Sequence, residues 1–217
     1  VHSLDQSVGR IRAALEEMNV ADRTVVVFTS DNGGYINENR GRRVTDNRPL
    51  RSGKGSLYEG GIRVPLIVRW PGVTPEGETS RRIALSTDLY PTIREMAGVK
   101  ASDLPDGPAA DGQSLVPDLR APTERRLRGP VFWHYPHYYF APKTTPVSAV
   151  RHGDWKLIDF LEDGRAELYN LREDLGESRD LSASRPDTTD ELRRTLHEWR
   201  TSVSAQMPTP NPAWAEP

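Results

Sequence analysis

Residues 28–35, FTSDNGGY, end a short apolar run on Asp31-Asn32-Gly33-Gly34. A carboxylate beside a carboxamide oxygen is a pair of hard donors, suited to Ca²⁺ or, less well, Mg²⁺ rather than to Zn²⁺. The two glycines let the backbone turn away from an ion without crowding it. In open α/β sheets, ligands collect at the carboxyl ends of strands, and this pair stands at such an end. Two donors are too few for either metal, so further ligands must come from elsewhere. The same four residues also make a plain strand-ending turn, and local spacing leaves both readings open.

A second candidate follows at Arg51-Ser52-Gly53-Lys54-Gly55-Ser56. From Tyr35 to Arg63 there are seven Lys or Arg (40, 42, 43, 48, 51, 54, 63) against three acids (38, 46, 59), a local charge of 7 − 3 = +4. Glycines on both sides of Lys54 let the backbone approach a tetrahedral anion while the ammonium supplies a point charge. The stretch is not a P-loop, because Gly55 rather than Ser or Thr follows Lys54. A solvated basic loop is the plainer reading of charge alone.

The third candidate is Trp133-His134-Tyr135-Pro136-His137-Tyr138-Tyr139. Its two histidines and its aromatics could line a pocket or stack on sugar-like rings. A metal-binding His-x-x-His on a helix is disfavoured by the proline between them. Packed aromatics with satisfied histidines are an equal reading. His2, His152 and His197 stand alone and are assigned structural or surface roles.

These residues need elements to hold them. Ser3 and Gln6 make a capping box, and Leu4, Val8, Ile11, Leu15 and Met18 follow at helical spacing, so a helix with one buried stripe is predicted over about 4–19. Val25–Phe28 is an unalternating β-branched run, as expected of a strand covered on both faces. Residues 64–70, VPLIVRW, make a second strand, stopped by Pro71-Gly72. Thr87-Asp88 caps a helix with Leu89, Ile93 and Met96 on one face and Gly98 at its end. Residues 99–128 make a long surface connection. Four short runs follow, at 131–134, 147–151, 155–160 and 166–171, with Asp163-Gly164 as a hairpin signal, and they predict a small antiparallel sheet. A last helix starts near Pro186-Asp187, with Leu192, Leu196, Trp199 and Val203 as its buried stripe. The tail from Pro208 carries four prolines and is expected to lie extended.

Composition narrows the function classes. The 217 residues carry a net charge of −2, which gives no reason to expect a nucleic-acid or membrane-surface protein. There is no cysteine, so disulfides, thiolate metal sites and a cysteine nucleophile are excluded within this chain. No apolar run approaches the roughly 20 residues that span a bilayer. No signal-peptide pattern opens the chain, and its start on Val1-His2-Ser3 rather than Met leaves a processed or truncated N terminus open.

Taken in order, DNGG, GKGSLYEGGIRVPLIVRWPG, STDLYPTIREMAG and DGQSL resemble the C-terminal half of a type I, formylglycine-dependent sulfatase of the alkaline-phosphatase-like superfamily. FWHYPHY, SAVRHGDWKLI and ELYNLREDLGESRDL resemble the C-terminal subdomain of bacterial arylsulfatase-like members. The resemblance covers nearly the whole chain, and GKGSLYEGGIRVP is its most specific part. The implied fold is α/β: residues 1–128 as the C-terminal part of an α/β sandwich, 129–207 as a four-stranded antiparallel sheet-and-helix subdomain, and 208–217 as a tail.

The resemblance implies that Asp31 and Asn32 are two Ca²⁺ ligands and that Lys54 contacts the sulfate. Arg51, His134 and His137 are carried over as substrate-binding residues, and Glu59, Gly60, Gly61 and Arg63 as loop-holding ones. The family's formylglycine arises from a Cys or Ser in a Cys/Ser-x-Pro/Ala-x-Arg signature, which this sequence lacks; Ser3 and Ser184 both fail it. The nucleophile, the paired aspartates that complete the metal site and the leaving-group histidine are therefore expected in a missing N-terminal half, and this chain alone is expected to be inactive. The implied reaction is hydrolysis of an organic sulfate ester in a sulfated small molecule or carbohydrate, and family habit implies a periplasmic or secreted location. Two alternatives remain open from the sequence: phosphoester or phosphonate hydrolysis within the same superfamily, and a non-catalytic sulfate- or glycan-binding relative.

Overall fold

The structure, a computed structural model, describes residues 1–100, 111–140 and 143–212, without the side chains of Asn39 and Arg43. Positions 101–110 of the expected surface connection and 213–217 of the expected tail lie outside the described residues. In chain order the elements are α1 (His2–Glu17), β1 (Val26–Thr29), β2 (Glu38–Asn39), β3 (Arg42–Arg43), α2 (Glu59–Ile62), β4 (Leu66–Arg69), α3 (Leu89–Met96), α4 (Val116–Arg120), β5 (Val131–Tyr135), β6 (Val147–His152), β7 (Trp155–Phe160), β8 (Ala166–Asn170) and α5 (Pro186–Ser202). No described helix is long and apolar enough to cross a membrane.

Two compact units result: Val1–Ser30 with Pro65–Leu127, and Asp31–Val64 with Arg128–Pro217. The division expected near residue 128 kept the loop 31–64 with the first part of the chain. Its contacts instead group it with the C-terminal sheet.

In the first unit, helical spacing does form α1, but its stripe is not buried. No residue of α1 is buried, and Leu4, Ile11 and Met18 are exposed. Ser3 is not the cap either; the N-cap is Val1, and the Ser3 carbonyl accepts a hydrogen bond from Ser7 Oγ at 2.9 Å. The β1 run was expected to be covered on both faces. It pairs antiparallel with β4, Val26 opposite Arg69 and Phe28 opposite Ile67, in a two-stranded ribbon. Two strands alone cannot enclose an apolar run, so Val26–Phe28 are half-buried and Ile67 is exposed.

At α3 the apolar positions again miss the buried side. Pro91 and Thr92 are buried while Ile93 is exposed. The reason is polar. The buried Asp88 carboxylate accepts the amides of Leu85 and Gln113, both at 2.8 Å. Thr92 Oγ1 donates to the Asp88 carbonyl at 2.6 Å and accepts the Leu115 amide at 2.8 Å. The STDLYPT and DGQSL stretches are thus one interlocked corner.

The second unit holds most of the apolar core. Strands β5-β6-β7-β8 form an antiparallel meander, with Val150 opposite both Phe132 and Leu157 and Ile158 opposite Glu167. One face buries Val147, Ala149, Ile158, Phe160 and Tyr169 against Leu57 and Tyr58 of the basic loop. The other face buries Val150, Leu157 and Leu168 against Leu192 and Leu196 of α5. Each buried Leu contributes about 1.5–3 kcal/mol over its exposed state. Trp199 extends this stripe by stacking on Phe132, ring centroids 4.7 Å apart. Val203, expected in the stripe, falls past the end of α5 and is exposed.

Candidate functional site

Just beyond the end of β1 the chain reaches Asp31, which is exposed, and Asn32, which is half-buried. The next residues are fixed by backbone contact. The Gly33 amide donates to the Gly61 carbonyl at 2.9 Å, and the Gly34 carbonyl accepts the Lys54 amide at 3.1 Å and Asn47 Nδ2 at 2.9 Å. Asn47 Nδ2 also reaches the Ser52 carbonyl at 3.0 Å, so a single carboxamide clasps both segments.

The glycines in these motifs are demanded by proximity. A Cβ on Gly33 would lie 1.7 Å from the Gly60 carbonyl oxygen, and one on Gly60 would lie 2.4 Å from the carbonyl oxygens of Arg51 and Ser52. Backbone packs on backbone here, which is what brings the donor pair and the Lys54 loop into one small region. Lys54 itself is exposed. Among the described residues nothing hydrogen-bonds or ion-pairs with its ammonium or with the Asp31 carboxylate.

The basic loop is anchored to the C-terminal sheet at several points. Arg51 lies over the Tyr58 ring, 3.9 Å from its centroid, and its Nη1 donates to Tyr169 Oη and to the Glu177 carbonyl, both at 2.8 Å. Arg51, expected at the substrate, has a partly exposed side chain whose guanidinium is already engaged by Tyr169 and Glu177. Tyr58 and Tyr169 both donate to Glu167 Oε2, at 2.6 and 2.7 Å. Burial, reinforced by these bonds, pushes both phenols above their usual range.

Glu59 is buried and meets Lys156 Nζ at 2.9 Å, Arg63 at 3.2 Å and Arg151 at 3.7 Å. Burial raises its carboxyl, but Lys156, Arg151 and Arg63 outweigh that and hold it below the usual carboxylate range. The loop-holding role expected of Glu59 and Arg63 is thus visible, with a partner on β7 that the sequence did not suggest.

The two histidines of the aromatic stretch behave differently. His134 Nε2 donates to the Gln206 carbonyl at 2.7 Å, and Nδ1 is hydrogen-bonded to the Ser148 hydroxyl at 2.7 Å. Both ring nitrogens are occupied, so His134 is a strut between β5, β6 and the segment after α5. His137 is exposed and edge-on to the Tyr135 ring at 5.4 Å. From this stretch it is Tyr139 that reaches the Lys54 loop: a Cβ on Gly55, whose φ is +90°, would lie 2.1 Å from its ring, and Thr144 Oγ1 donates to the Gly55 carbonyl at 2.6 Å.

Sequence reasoning missed Thr144, Lys156 and Glu177, and had Tyr139 only as a member of the aromatic stretch. Lys156 carried a signal, being a lysine inside the apolar run Trp155–Phe160; a cation at such a position needs a buried anion. Among the described residues no group of three or more His, Cys, Asp or Glu converges.

Comparison with known proteins adds the following. A family model described as Sulfatase matches residues 1–99, and one described as N-sulphoglucosamine sulphohydrolase, C-terminal, matches residues 53–206. A sulfatase of Formosa agariphila is 38% identical over 100% of this chain and 40% of its own length. A steryl-sulfatase of Mus musculus is 34% identical over 84% of this chain and 33% of its own. A solved structure of a protein in complex with its substrate D-glucosamine-2-N,6-O-disulfate superposes with a TM-score of 0.71 at 29% identity, over 92% of this chain and 38% of that one. The chain thus spans about two-fifths or less of the length of these relatives.

Proposed function

Because the chain belongs to the sulfatase family, we propose that it is the C-terminal part of a hydrolase that cleaves sulfate esters of a carbohydrate. The observation that carries the reading is the hydrogen bond from the Lys54 amide to the Gly34 carbonyl. It ties the anion loop to the segment that bears Asp31 and Asn32.

The donors present fit a calcium ion. Asp31 offers an exposed carboxylate and Asn32 a carbonyl oxygen, on a backbone that Gly33 turns away. When bound, the ion would offset negative charge on the sulfate oxygens. Asp31 and Asn32 would hold one side of it. Lys54 would direct its ammonium at the sulfate and stabilise the charge that develops as the ester bond breaks. The remaining ligands and the formylglycine nucleophile belong to the portion of the enzyme outside these 217 residues, so this chain alone should show no turnover. An exported location, periplasmic or secreted, is part of the same proposal.

A sulfated sugar is favoured by the likeness to a protein whose substrate is a disulfated glucosamine. The relatives named above are sulfatases, which argues against phosphoester cleavage and against a purely sulfate-binding role. The test is to assay the full-length enzyme on glucosamine 6-sulfate, a steryl sulfate and glucosamine 6-phosphate, with Lys54→Ala in parallel. The sulfated sugar should turn over with calcium, and Lys54→Ala should lose about 10²–10³ in kcat. Preference for the steryl ester would replace the substrate class. Turnover of the phosphate ester alone, or full activity in Lys54→Ala, would overturn the reading.

A further inference from the structure

Glu177 is a fully buried, heavily tied polar group of the second unit. It is 0% exposed, and its backbone sits at φ 50°, a conformation disfavoured for a residue with a Cβ. Its Oε1 accepts Lys156 Nζ at 2.8 Å, its Oε2 accepts the Glu59 amide at 2.6 Å, and its carbonyl accepts Arg51 Nη1 at 2.8 Å. Lys156, also 0% exposed, closes the cluster by donating to Glu59 Oε1 at 2.9 Å. Arg51 precedes Lys54 and Glu59 follows it, so one residue grips the loop on both sides of the exposed lysine.

Nothing about mere packing requires this. Apolar residues of the same volume would fill the space without the desolvation cost of burying an ammonium and two carboxylates. What the cluster adds is direction, because the bonds from Glu177 and Lys156 to Arg51 and Glu59 end on residues that flank Lys54. Burial raises the Glu177 carboxyl despite Lys156, whereas Lys156, Arg151 and Arg63 hold Glu59 low.

We propose that Glu177, with Lys156, is a positioning residue that holds the Lys54 loop from both ends and so keeps the ammonium in place on the sulfate. This rests on the role given to Lys54 above. The test uses the full-length enzyme and Glu177→Gln, which keeps the side-chain size but removes the charge and sets an NH₂ group against one of its two donors, Lys156 Nζ or the Glu59 amide. Hydrogen exchange at the amides of Lys54 and Ser56, bonded to the carbonyls of Gly34 and Gly53, should speed up by about tenfold, while Val150 and Ile158 in the sheet keep their rates. The kcat should fall by about tenfold or more with KM within about threefold. In a Lys54→Ala background the same substitution should change kcat by less than about twofold, since the two act through one group. Should Glu177→Gln fail to fold, Arg51→Gln cuts the other tether at a partly exposed side chain and is read the same way. Unchanged exchange at 54 and 56, or an equal kcat loss in both backgrounds, overturns the positioning role. Faster exchange in Glu177→Gln together with full activity in Lys54→Ala would keep the tether and remove the role of Lys54 instead.

Discussion

The amide of Lys54 donates to the carbonyl of Gly34 at 3.1 Å, and this bond joins two motifs that the sequence keeps apart. Around it, Gly33 lies on Gly60 and Gly60 lies on Arg51 and Ser52, with no side chain between the backbones. The backbone of the lysine is thus held by main-chain contacts on this side, beside the anchors at Arg51 and Glu59.

Gly60→Ala should damage this arrangement directly. The new Cβ would meet the carbonyl oxygens of Arg51 and Ser52 at 2.4 Å, and main chain cannot rotate out of the way. Overpacking of this kind costs roughly 1–3 kcal/mol or more. Denaturant unfolding should show that loss. A variant as stable as the parent would mean that the loop is looser than these distances imply.

His134→Ala should act on stability and leave substrate affinity alone. The ring joins Ser148 to the Gln206 carbonyl, and losing both bonds should cost about 1–3 kcal/mol. In the full-length enzyme KM should stay within about twofold, as expected for a residue whose ring atoms are already engaged. A large rise in KM with unchanged unfolding would return His134 to the substrate.

Asp180→Ala should reveal an acid-dependent contribution. The carboxylate accepts the amides of Leu168 at 2.9 Å and Ser182 at 2.8 Å. Partial burial raises its carboxyl, but those amides outweigh it and hold the folded value below the ordinary one. A depressed folded value means stability that is present above the unfolded pKa of about 3.9 and is lost as pH falls through the folded value. The variant should be less stable by about 1 kcal/mol at neutral pH, and the gap should close in strong acid. A gap that is constant from pH 7 to pH 2 would refute the linkage.

Much of the C-terminal sheet was legible because its signals are local. Alternating β-branched and aromatic runs separated by hairpin residues specify β5 to β8, and Pro186 marks the start of α5. The apolar spacing of α5 also named Leu192 and Leu196, which are buried. In the first unit the same rules found the elements and misjudged their burial. Spacing shows that Leu4, Ile11 and Met18 share a face, yet burial depends on what packs there, and all three are exposed.

Asp31, Asn32 and Lys54 were picked out by residue type alone, since hard oxygen donors and a glycine-flanked cation are chemistry that a short stretch can display. Their joining was a tertiary matter, made by carbonyls and amides that every residue possesses and no pattern distinguishes. The same holds for Glu177, which reaches Glu59 across 118 positions of chain and Arg51 across 126. Sequence by itself determined which elements form and which side chains could bind an anion or an ion. Only the folded chain decided that Arg51 and His134 are engaged by long-range hydrogen bonds and that a buried glutamate ties the lysine loop, because burial and long-range hydrogen bonding are properties of the packed whole.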